Sequence, residues 1–459
     1  MTRDQRLVLV IAVLASFVAF LDGSVINVAL PAILDELGGG IATQQWVVDA
    51  YLITLGSLIL LAGSLSDVFG RIVVLRVGLI GFGVTSVLCA IAPTDDILII
   101  ARGLQGIAGA LLVPSSLALI LSAFRDAAQA KAIGQWTAWT SAAFLLGPLL
   151  GGLFVDLLSW RLVFWINVVP ITVTLWLLVV VKHRDERMPG VRIDYPGAIL
   201  GVLGVGLPVF ALIEQGNLGW ENPLIWGSVI VGALSLVAFL WRQRVAKDPM
   251  LPLGLFRVRN FAVGNVATVA IYGALSLGGF VITVYLQEVV GYPATLAGAA
   301  FLPVTLLSIA LSSTIGGLAG RFGPRWFMTV GPILGGLGFL VFLGLGDEAD
   351  YLTQVLPGVV LFGLGLTITV APLTAAILGS ISAKQAGIGS AVNNAISRIA
   401  GLITIALVGV IVGAELDTAG FHRAVIVTAV LLFVGGIVSF LGIRRVTAPD
   451  TVAADETSG

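Results

Sequence analysis

Two charged side chains lie inside segments that are otherwise apolar and long enough to cross a lipid bilayer. Asp22 falls in the run from Leu7 to Leu34, and Arg102 falls in the run from Ile97 to Leu121. An ionisable side chain near the centre of a membrane helix costs roughly 2.5–3.5 kcal/mol, so it is rarely present without a function. A buried acid and a buried base on separate helices indicate a path for protons or ions. We expect Asp22 to be the main protonation site and Arg102 to be its coupling partner.

A third charge, Asp49, is expected near the same depth. Asp22 lies about 22 Å from the start of its helix, and Arg102 lies about 8 Å into a helix of opposite direction, at a rise of about 1.5 Å per residue. In a hydrocarbon core of about 30 Å these depths nearly coincide. Asp49 begins the second apolar run, slightly further out. Two alternatives stay open: Asp22 and Arg102 form a static structural pair, and Asp49 faces water or caps its helix.

The residues that follow Arg102 predict a close, polar contact between helices. Gln105, Gly106 and Gly109 lie three, four and seven residues after Arg102, which places all four on one helical face. Small residues beside polar ones are typical of interfaces between membrane helices. If Asp22 pairs with Arg102 differently in two conformations, its proton affinity changes between them, and that difference is what coupling requires.

Composition indicates a helical membrane protein. The 459 residues are 58% hydrophobic and 11% charged, whereas soluble domains carry about 25% charged residues. Mean hydropathy is +1.07, and the segments of about ten alternating residues that mark a membrane β-barrel are not seen. The single cysteine, Cys89, cannot form an intrachain disulfide. We expect no cofactor, no metal site and no ATP-binding loop, because neither histidine has metal-ligand spacing around it and no Walker motif is present.

Apolar runs of roughly 17–25 residues predict about fourteen membrane helices. Their extents are 7–30, 45–65, 73–92, 97–121, 131–155, 162–181, 196–214, 223–241, 261–286, 296–318, 326–345, 352–376, 388–413 and 422–443. Lysine and arginine concentrate in alternate loops, and acids dominate the others. By the positive-inside rule both termini are cytoplasmic, and we expect a multi-pass protein of the plasma membrane. Asp156 and Arg161 flank a tight outer turn, where we expect them to pair.

Two cytoplasmic loops resemble each other and indicate an internal repeat. Gly63 to Gly78 aligns with Gly316 to Gly331. Repeats of this kind are typical of secondary transporters, whose substrate site lies between the halves. The predicted organisation is a six-helix bundle in 1–181, a linker with two inserted helices in 182–260, a second six-helix bundle in 261–445 and a polar, disordered tail in 446–459. The second half is almost free of buried charge, with Arg398, near the start of helix 13, as the main exception.

Several motifs resemble the major facilitator superfamily, and specifically its fourteen-helix drug:proton antiporters. Helix 1 carries LDGSVINVALP, helix 4 carries ARGLQGIAGA, and helix 5 carries GPLLGG, similar to the antiporter signature. The loop from Gly63 to Arg71 is similar to the G-x-L-x-D-x-x-G-R loop, although Val68 and Ile72 replace the usual basic residues. SWRLVFWINVVP and YLQEVVGYPATLAG are also similar to the family, so the resemblance covers nearly the whole chain.

The resemblance implies an all-α major facilitator fold and a set of residues that control conformation. These are Gly63, Asp67, Gly70, Arg71, Gln105, Gly106, Gly147, Pro148, Gly151 and Gly152. It implies that Asp67 meets a helix N-terminus of the other half in the outward-facing state, where anions are favoured by up to about 1 kcal/mol. The alternatives are a simple charged turn around Asp67 and a purely structural kink at Pro148.

The implied function is a proton-coupled antiporter that exports lipophilic, often cationic, small molecules by alternating access. The candidate residues of the substrate cavity are Asn27, Tyr51, Trp139, Phe144, Tyr272 and Tyr285. We expect a monomer that contacts lipid, protons and a small-molecule substrate, with no nucleic acid and no enzymatic activity. The alternatives are an exporter of a specific metabolite, peptide or lipid and, from other classes, a membrane-embedded enzyme or a non-transporting sensor.

Overall fold

A computed structural model describes residues 1–181, 193–382, 385–413 and 416–444, and in these ranges the chain forms helices and no β-strand. The predicted tail in 446–459 and most of the first charged linker lie outside the described residues. The helices, in order, are α1 Arg3–Leu37, α2 Ile41–Phe69, α3 Arg71–Ala90, α4 Asp95–Ala123, α5 Asp126–Leu157, α6 Leu162–Trp165, α7 Val168–Val180, α8 Tyr195–Leu218, α9 Pro223–Val245, α10 Arg259–Glu288, α11 Ala294–Ala299, α12 Leu302–Phe322, α13 Pro324–Val341, α14 Leu356–Leu378, α15 Ala386–Ala406, α16 Val408–Val412 and α17 Thr418–Gly442.

The seventeen helices form about fourteen membrane spans, as predicted. Three short helices continue a neighbour, so that α6 with α7, α11 with α12 and α15 with α16 each make one span. Thirteen spans within the described residues are long and apolar enough to cross a bilayer. Helix α5 has 32 residues and supplies the remaining one. The chain is therefore a multi-pass integral membrane protein.

The ends of the helices differ from the prediction because hydropathy detects only the apolar part of each helix. Helix α1 begins at Arg3 rather than at residue 7, since Thr2 and Gln5 form a reciprocal capping box there. Between α2 and α3 the chain turns at Gly70, whose φ of +101° favours glycine. Only one residue separates these two helices, so the loop with Asp67 and Arg71 is a tight turn.

Helices α8 and α9, which correspond to the predicted insertion, pack against each other and, through α8, against α2 and α15. Asp194 caps the start of α8, where it accepts hydrogen bonds from the backbone of Gly197 and from Arg242 and Gln243 near the end of α9. Burial raises the pKa of Asp194, but these hydrogen bonds outweigh it and hold the pKa below its usual value. The ion pair therefore ties the two ends of this hairpin together at the membrane surface.

We expect Asp194→Asn to destabilise the protein by about 1 kcal/mol, since Arg242 is partly solvated. A lowered folded-state pKa contributes stability above the unfolded pKa, near 3.9, and this stability is lost as the pH falls through the folded-state value. Thermal unfolding in detergent should therefore separate variant and wild type at neutral pH and bring them together in acid. Glu221→Gln, on the exposed α8–α9 turn, is the control. Equal melting of all three proteins at neutral pH would contradict the role of Asp194.

The two halves meet firmly at one end of the molecule. We call it the outer end, and it carries the α1–α2 turn at Gly38–Gly40. There Gln44 donates to Glu288 of α10 at 2.8 Å, and Gln45 donates to the backbone oxygens of Ile405 and Ala406 at 2.7 and 2.9 Å. Along α15 the residues from Ala400 to Leu402 are buried, and so are Val392 and Ala395 nearer the inner end, which carries the N-terminus, whereas 396–399 are half-buried. The seam between the halves is thus closed at the outer end, and its half-buried residues on α15 lie in the middle of the span.

Candidate functional site

The predicted acid and base meet directly in the interior of the first half. The Nη1 of Arg102 donates to Asp22 Oδ2 at 2.6 Å, and both residues have 0% exposed surface. The same guanidinium donates from Nε to the backbone oxygen of Val47 at 3.0 Å and from Nη1 to Gln105 Oε1 at 2.7 Å. Charge-assisted bonds of this length are among the stronger ones in proteins. The pairing joins α1, α2 and α4.

Two amides complete the hydrogen bonding of the carboxylate. Gln105, from the predicted stripe on α4, donates to Asp22 Oδ1 at 3.0 Å. Asn167, at the start of α7, donates to the same oxygen at 2.8 Å. Both amides also reach the hydroxyl of Ser86, at 2.9 and 3.3 Å. Asp22 therefore accepts three hydrogen bonds and donates none, which is the pattern that a carboxylate satisfies.

Asn167 and Ser86 are site residues that sequence reasoning missed. Asn167 lies in the SWRLVFWINVVP segment, and its signal is a polar amide within an apolar helix. Ser86 carries a weaker signal, because serine is common in membrane helices and often bonds to its own backbone. Asn167 and Ser86 lie near Asp22 because of the way α3 and α7 pack around α1. Residue spacing within one helix does not predict this packing.

Tyr51 belongs to this site rather than to a substrate cavity. The Arg102 guanidinium carbon lies 4.3 Å from the centre of the Tyr51 ring, and the hydroxyl donates to the backbone oxygen of Ala19 at 3.3 Å. Tyr51 has 1% exposed surface. A buried cation over a tyrosine ring is stabilised by the ring electrons, so Tyr51 positions Arg102 from the side opposite to the acid.

Gly106 lets α4 approach α2 closely enough for Arg102 to reach the α2 backbone. A Cβ atom at this position would lie 2.1 Å from Thr54 Oγ1 and 2.3 Å from the backbone oxygen of Tyr51. Thr54 in turn donates to the backbone oxygen of Gly103 at 2.8 Å. The small residue is thus required by contact between two backbones, as expected for membrane helix packing.

We expect Gly106→Ala to separate α2 from α4, to destabilise the protein by about 1–3 kcal/mol and to reduce transport, because overpacking shifts the backbone. Gly103→Ala is the matched control, since the nearest atom to its added Cβ, the backbone oxygen of Ala50, lies 3.9 Å away. Thermal unfolding in detergent measures the first effect, and transport in vesicles measures the second. If both alanine variants behave alike, the close approach at Gly106 is not what positions Arg102.

Asp49 is fully buried, but it lies apart from the ion pair. It has 0% exposed surface, and within the described residues neither carboxylate oxygen has a hydrogen-bond partner. Gln45, one turn earlier on α2, bonds to α15, and Gly56, about two turns later, also faces α15. The spacing of these three residues places Asp49 on the face of α2 that meets the second half. Asp49 therefore neither faces water nor caps α2, whose N-cap is Gly40.

The GPLLGG segment of α5 forms contacts with both halves. Added Cβ atoms would lie 1.9 Å from Ser24 Oγ at Gly147 and 2.8 Å from the Val25 backbone oxygen at Gly151, both on α1. At Gly152 the obstacle is the backbone oxygen of Ala294, at 2.4 Å, in the second half. Reciprocally, Gly298 of α11 approaches the backbone oxygen of Pro148, which a Cβ would reach at 2.1 Å. The segment permits close contact at the outer end of the seam.

Asp156 extends this contact, and its predicted pairing with Arg161 is wrong. Asp156 accepts hydrogen bonds from the backbone N–H groups of Ala294 and Thr295 at 3.0 and 2.7 Å. Arg161 instead pairs with Glu36 at the outer end of α1. The two residues are close in sequence, but the turn between α5 and α6 directs one towards the second half and the other towards α1.

The turn between α2 and α3, which contains Asp67 and Arg71, lies at the inner end, away from the ion pair. Asp67 is half-buried and lies 4.0 Å from Arg71, one turn further on. Gly63 has open space where its Cβ would lie, whereas Gly70 supplies the turn described above. Contact of Asp67 with a helix of the other half, implied for the outward-facing state, stays a prediction.

The remaining cavity candidates lie in different surroundings. Tyr272 and Asn27 are half-buried, on α10 and α1, and Trp139 is 58% exposed on α5. Tyr285 stacks on Phe421 with ring centres 3.8 Å apart and bonds to Thr418 inside the second half, so its place is in that core and not at the seam. The side chain of Phe144 lies outside the described residues.

Comparison with known proteins agrees with the helix arrangement and the motifs. The profile described as Major Facilitator Superfamily matches residues 12–405. The chain belongs to this superfamily. It is therefore a transporter that binds small-molecule substrates within the membrane, which agrees with the fold and with the predicted resemblance.

Several similar proteins carry names that refer to drug resistance. The puromycin resistance protein pur8 of Streptomyces alboniger is 35% identical over 415 residues, covering 88% of this chain and 81% of that protein. The multidrug resistance protein Stp of Mycobacterium tuberculosis (strain ATCC 25618 / H37Rv) is 34% identical over 91% of this chain and 78% of its own length. The methylenomycin A resistance protein of Bacillus subtilis (strain 168) is 33% identical over 88% and 87%.

Solved structures show the same fold at low sequence identity. A crystal structure of a POT peptide transporter in complex with sulfate has a TM-score of 0.66 and 17% identity, covering 95% of this chain and 96% of that chain. A crystal structure of an auto-inhibited POT family peptide transporter has a TM-score of 0.68 and 14% identity, covering 98% and 99%. At these identities the likeness concerns the fold alone.

Proposed function

We propose that this chain is a proton-coupled antiporter that exports lipophilic, often cationic, small molecules by alternating access. It would act as a monomer in the plasma membrane, with both termini in the cytoplasm. The observation that carries the proposal is the buried Asp22–Arg102 pair with its two amide donors, in a superfamily member similar to proteins named for resistance to puromycin and methylenomycin. A proton and a guanidinium compete for the same carboxylate, which makes the pair a coupling device rather than a static one.

Proton binding at Asp22 is coupled to transport through the two conformations that the halves adopt as they rock against each other. In the state described here Asp22 has three donors and no acceptor, so a proton on it would have to displace Arg102 or an amide. A shift of α1 against α4 and α7 would break these bonds and make proton binding favourable. Because a ligand shifts a conformational equilibrium by its difference in affinity for the two states, proton binding then favours the other state. This arrangement suits proton release towards the inner end, because hydrogen bonds close the seam at the outer end.

Asp49 supplies a second proton-binding group under this proposal. An ionised carboxylate without a partner is costly at membrane depth, and Asp49 has no partner within the described residues. It lies on the face of α2 that meets α15, and this face opens when the outer seam opens. We infer that Asp49 is neutral while the seam is closed and exchanges its proton with the outside when the seam is open.

The domain division is proposed on the same basis. Residues 1–181 hold the proton-binding groups, residues 261–445 form the bundle that rocks against them, and 182–260 connect the two with the inserted helices. The inserted pair touches both halves through α2 and α15. A hairpin that contacts both sides of the seam must slide or tilt during each cycle.

Flux in proteoliposomes tests the proposal. Two fluorescent probes suit the assay: a rhodamine with a free carboxylate and its methyl ester, which is a cation. We expect vesicles whose lumen is more acidic than the medium to accumulate at least one probe, and a protonophore to abolish the accumulation. Vesicles without protein and vesicles with Asp22→Asn protein are the controls. If neither probe nor a panel of antibiotics moves under a pH gradient, drug export coupled to protons is wrong for this chain.

We expect Asp156→Asn to weaken the outer closure, because an amide is a poorer acceptor for the two N–H groups than a carboxylate. These bonds are near the surface, so the loss is about 1 kcal/mol, or roughly a fivefold change in the ratio of the two states. A cysteine introduced by Leu402→Cys, at a buried position of α15 three residues before Ile405, which bonds to α2, reports opening through its labelling by a membrane-impermeant maleimide. Faster labelling with Asp156→Asn, but not with the exposed outer-turn variant Asp96→Asn, is the expected result. Unchanged labelling would show that Asp156 does not hold the seam.

A further inference from the structure

Arg398 is a cation in the middle of a membrane span, at the seam between the halves. It is the thirteenth residue of the span from Ala386 to Val412, so its predicted place near the start of the helix is corrected by the full length of α15. Intramembrane charges mark functional sites by default. The ion pair of the first half does not use Arg398, so its role is separate from Asp22.

The neighbours of Arg398 belong to the opposite half. Its Nη1 lies 3.6 Å from where a Cβ would be at Gly23 of α1, and its own Cβ lies 3.4 Å from the equivalent point at Gly56 of α2. The guanidinium carbon is 5.2 Å from the ring centre of Phe20. Two glycines and an aromatic ring thus leave room for a long basic side chain between α1, α2 and α15, which places it away from lipid.

The charge of Arg398 is not neutralised by any acid in the described part of the chain. Asp22 is occupied by Arg102, and Asp49 is sealed nearer the outer end. Contact with Phe20 leaves the hydrogen-bond donors of the guanidinium without an acceptor among the described residues. Arg398 belongs to the half-buried residues in the middle of the seam, so a ligand in the seam can reach these donors.

A second donor lies on α10, which packs against both α15 and α1. Tyr272 precedes Gly273, whose added Cβ would lie 3.6 Å from the backbone oxygen of Ala400, two residues after Arg398. Tyr272 is half-buried, and its hydroxyl has no hydrogen bond to any described residue. A guanidinium and a phenol, both with free donors, form the polar part of a site whose remaining lining includes Phe20 and the two glycines. Donors without acceptors bind an anion or another strong acceptor.

From this arrangement we propose that Arg398 and Tyr272 bind an acidic group of the transported molecule, so that the substrates include lipophilic carboxylates or comparable organic anions. The apolar part of the molecule would lie against Phe20, and its carboxylate would receive the donors of the guanidinium and the phenol. This inference rests on the proposed export function and specifies its substrate class. It departs from the expectation of often cationic substrates, because to the predicted lipophilic character it adds a site for negative charge.

Binding to the purified full-length protein in detergent tests the inference separately from transport. Fluorescence polarisation of the two rhodamine probes compares molecules that differ only in one carboxylate. We expect the acid to bind wild type more tightly than the ester and Arg398→Gln to weaken binding of the acid about tenfold, while ester binding stays the same or improves. Arg325→Gln, which removes a cation at the inner surface of the second half, should leave both affinities unchanged.

Two further variants keep the test decisive if Arg398→Gln folds poorly. Arg398→Lys retains the charge and should retain the preference for the acid, whereas Tyr272→Phe should lower affinity for the acid severalfold and leave the ester unaffected. Loss of the preference for the acid in Arg398→Lys, or unchanged affinity for the acid in Tyr272→Phe, would overturn the assignment. Tighter binding of the ester than of the acid to wild type would overturn it as well.

Charge movement gives an independent readout in vesicles. The acid probe combines the rhodamine cation with one carboxylate and has no net charge, so its exchange for one entering proton moves one positive charge inward, and an inside-negative potential should accelerate its export. Exchange of one proton for one monocation moves no net charge. We expect potential-driven export of the acid in wild type and its loss in Arg398→Gln. Failure of the pH gradient to move either probe contradicts the transport proposal, whereas proton-driven export of the ester alone contradicts only the substrate class.

Discussion

Asp22→Asn should reduce proton-driven transport to the background of empty vesicles. The carboxylate is the acceptor for Arg102, Gln105 and Asn167, and an amide at this position cannot bind and release a proton in the accessible range. One of its two terminal atoms would also be an N–H₂ group that faces donors. We expect the variant to lose about 1–3 kcal/mol of stability from this mismatch and all of its response to a pH gradient.

The informative measurement separates coupling from movement. Counterflow, in which labelled substrate exchanges for unlabelled substrate without a gradient, should persist in Asp22→Asn, because rocking itself does not need the proton. Asp35→Asn is the matched control, since it removes an exposed carboxylate from the outer end of the same helix. Undiminished accumulation driven by a pH gradient in the Asp22→Asn protein would refute the central role of this carboxylate.

Arg102→Met should have the largest effect on stability of the variants considered. It removes the partner of a carboxylate with no exposed surface, together with the bonds to Val47 and Gln105 and the contact with Tyr51. Breaking a buried ion pair on one side typically costs about 3–5 kcal/mol, because the other charge is left without compensation. We expect low yields of folded protein and no coupled transport.

A double variant separates two contributions to the instability of Arg102→Met: the unpaired charge left on Asp22, and the lost packing of the Arg102 side chain. Asp22→Asn combined with Arg102→Met has no charge to leave unpaired, so it should be more stable than Arg102→Met alone. Arg102→Lys keeps the charge but loses the planar fork that serves Asp22 and Val47 together, and we expect intermediate stability and weak coupling. Arg76→Met, on an exposed part of α3, is the control. Additive losses in the double variant would mean that Asp22 and Arg102 are not energetically coupled.

The predicted and observed sites agree best for features that depend on residue spacing within a single helix. Helical periodicity places Arg102, Gln105 and Gly106 on one face of α4. Arg102 and Gln105 bond to Asp22 of α1, and Gly106 allows α2 to approach the same face. Depth along a helix also follows from residue count, which is why Asp22 and Arg102 were expected at one level. These quantities depend on the rise and twist of the α-helix and on bilayer thickness, which are the same in every protein.

Rotation and packing of helices against each other explain the differences. Depth alone grouped Asp49 with the ion pair, but its face of α2 is directed to the second half. Tyr51 and Tyr285 were both expected to line a cavity because they are aromatic, yet one packs on Arg102 and the other on Phe421. Asp156 and Arg161 are five residues apart, yet their partners lie in different halves.

The amino-acid sequence by itself determined that this protein is a helical bundle of about fourteen spans, that its first half holds the buried acid and base, and that its motifs are those of the major facilitator superfamily. Hydropathy and motif order suffice for these conclusions, since the cost of polar groups in lipid restricts the chain to helices. Only the tertiary structure decided that Asn167 and Ser86 join the carboxylate, that Asp49 and Arg398 face the seam, and that the outer end is closed. Those facts depend on which helical faces meet, and contacts between segments far apart in the chain are set by packing of the whole bundle.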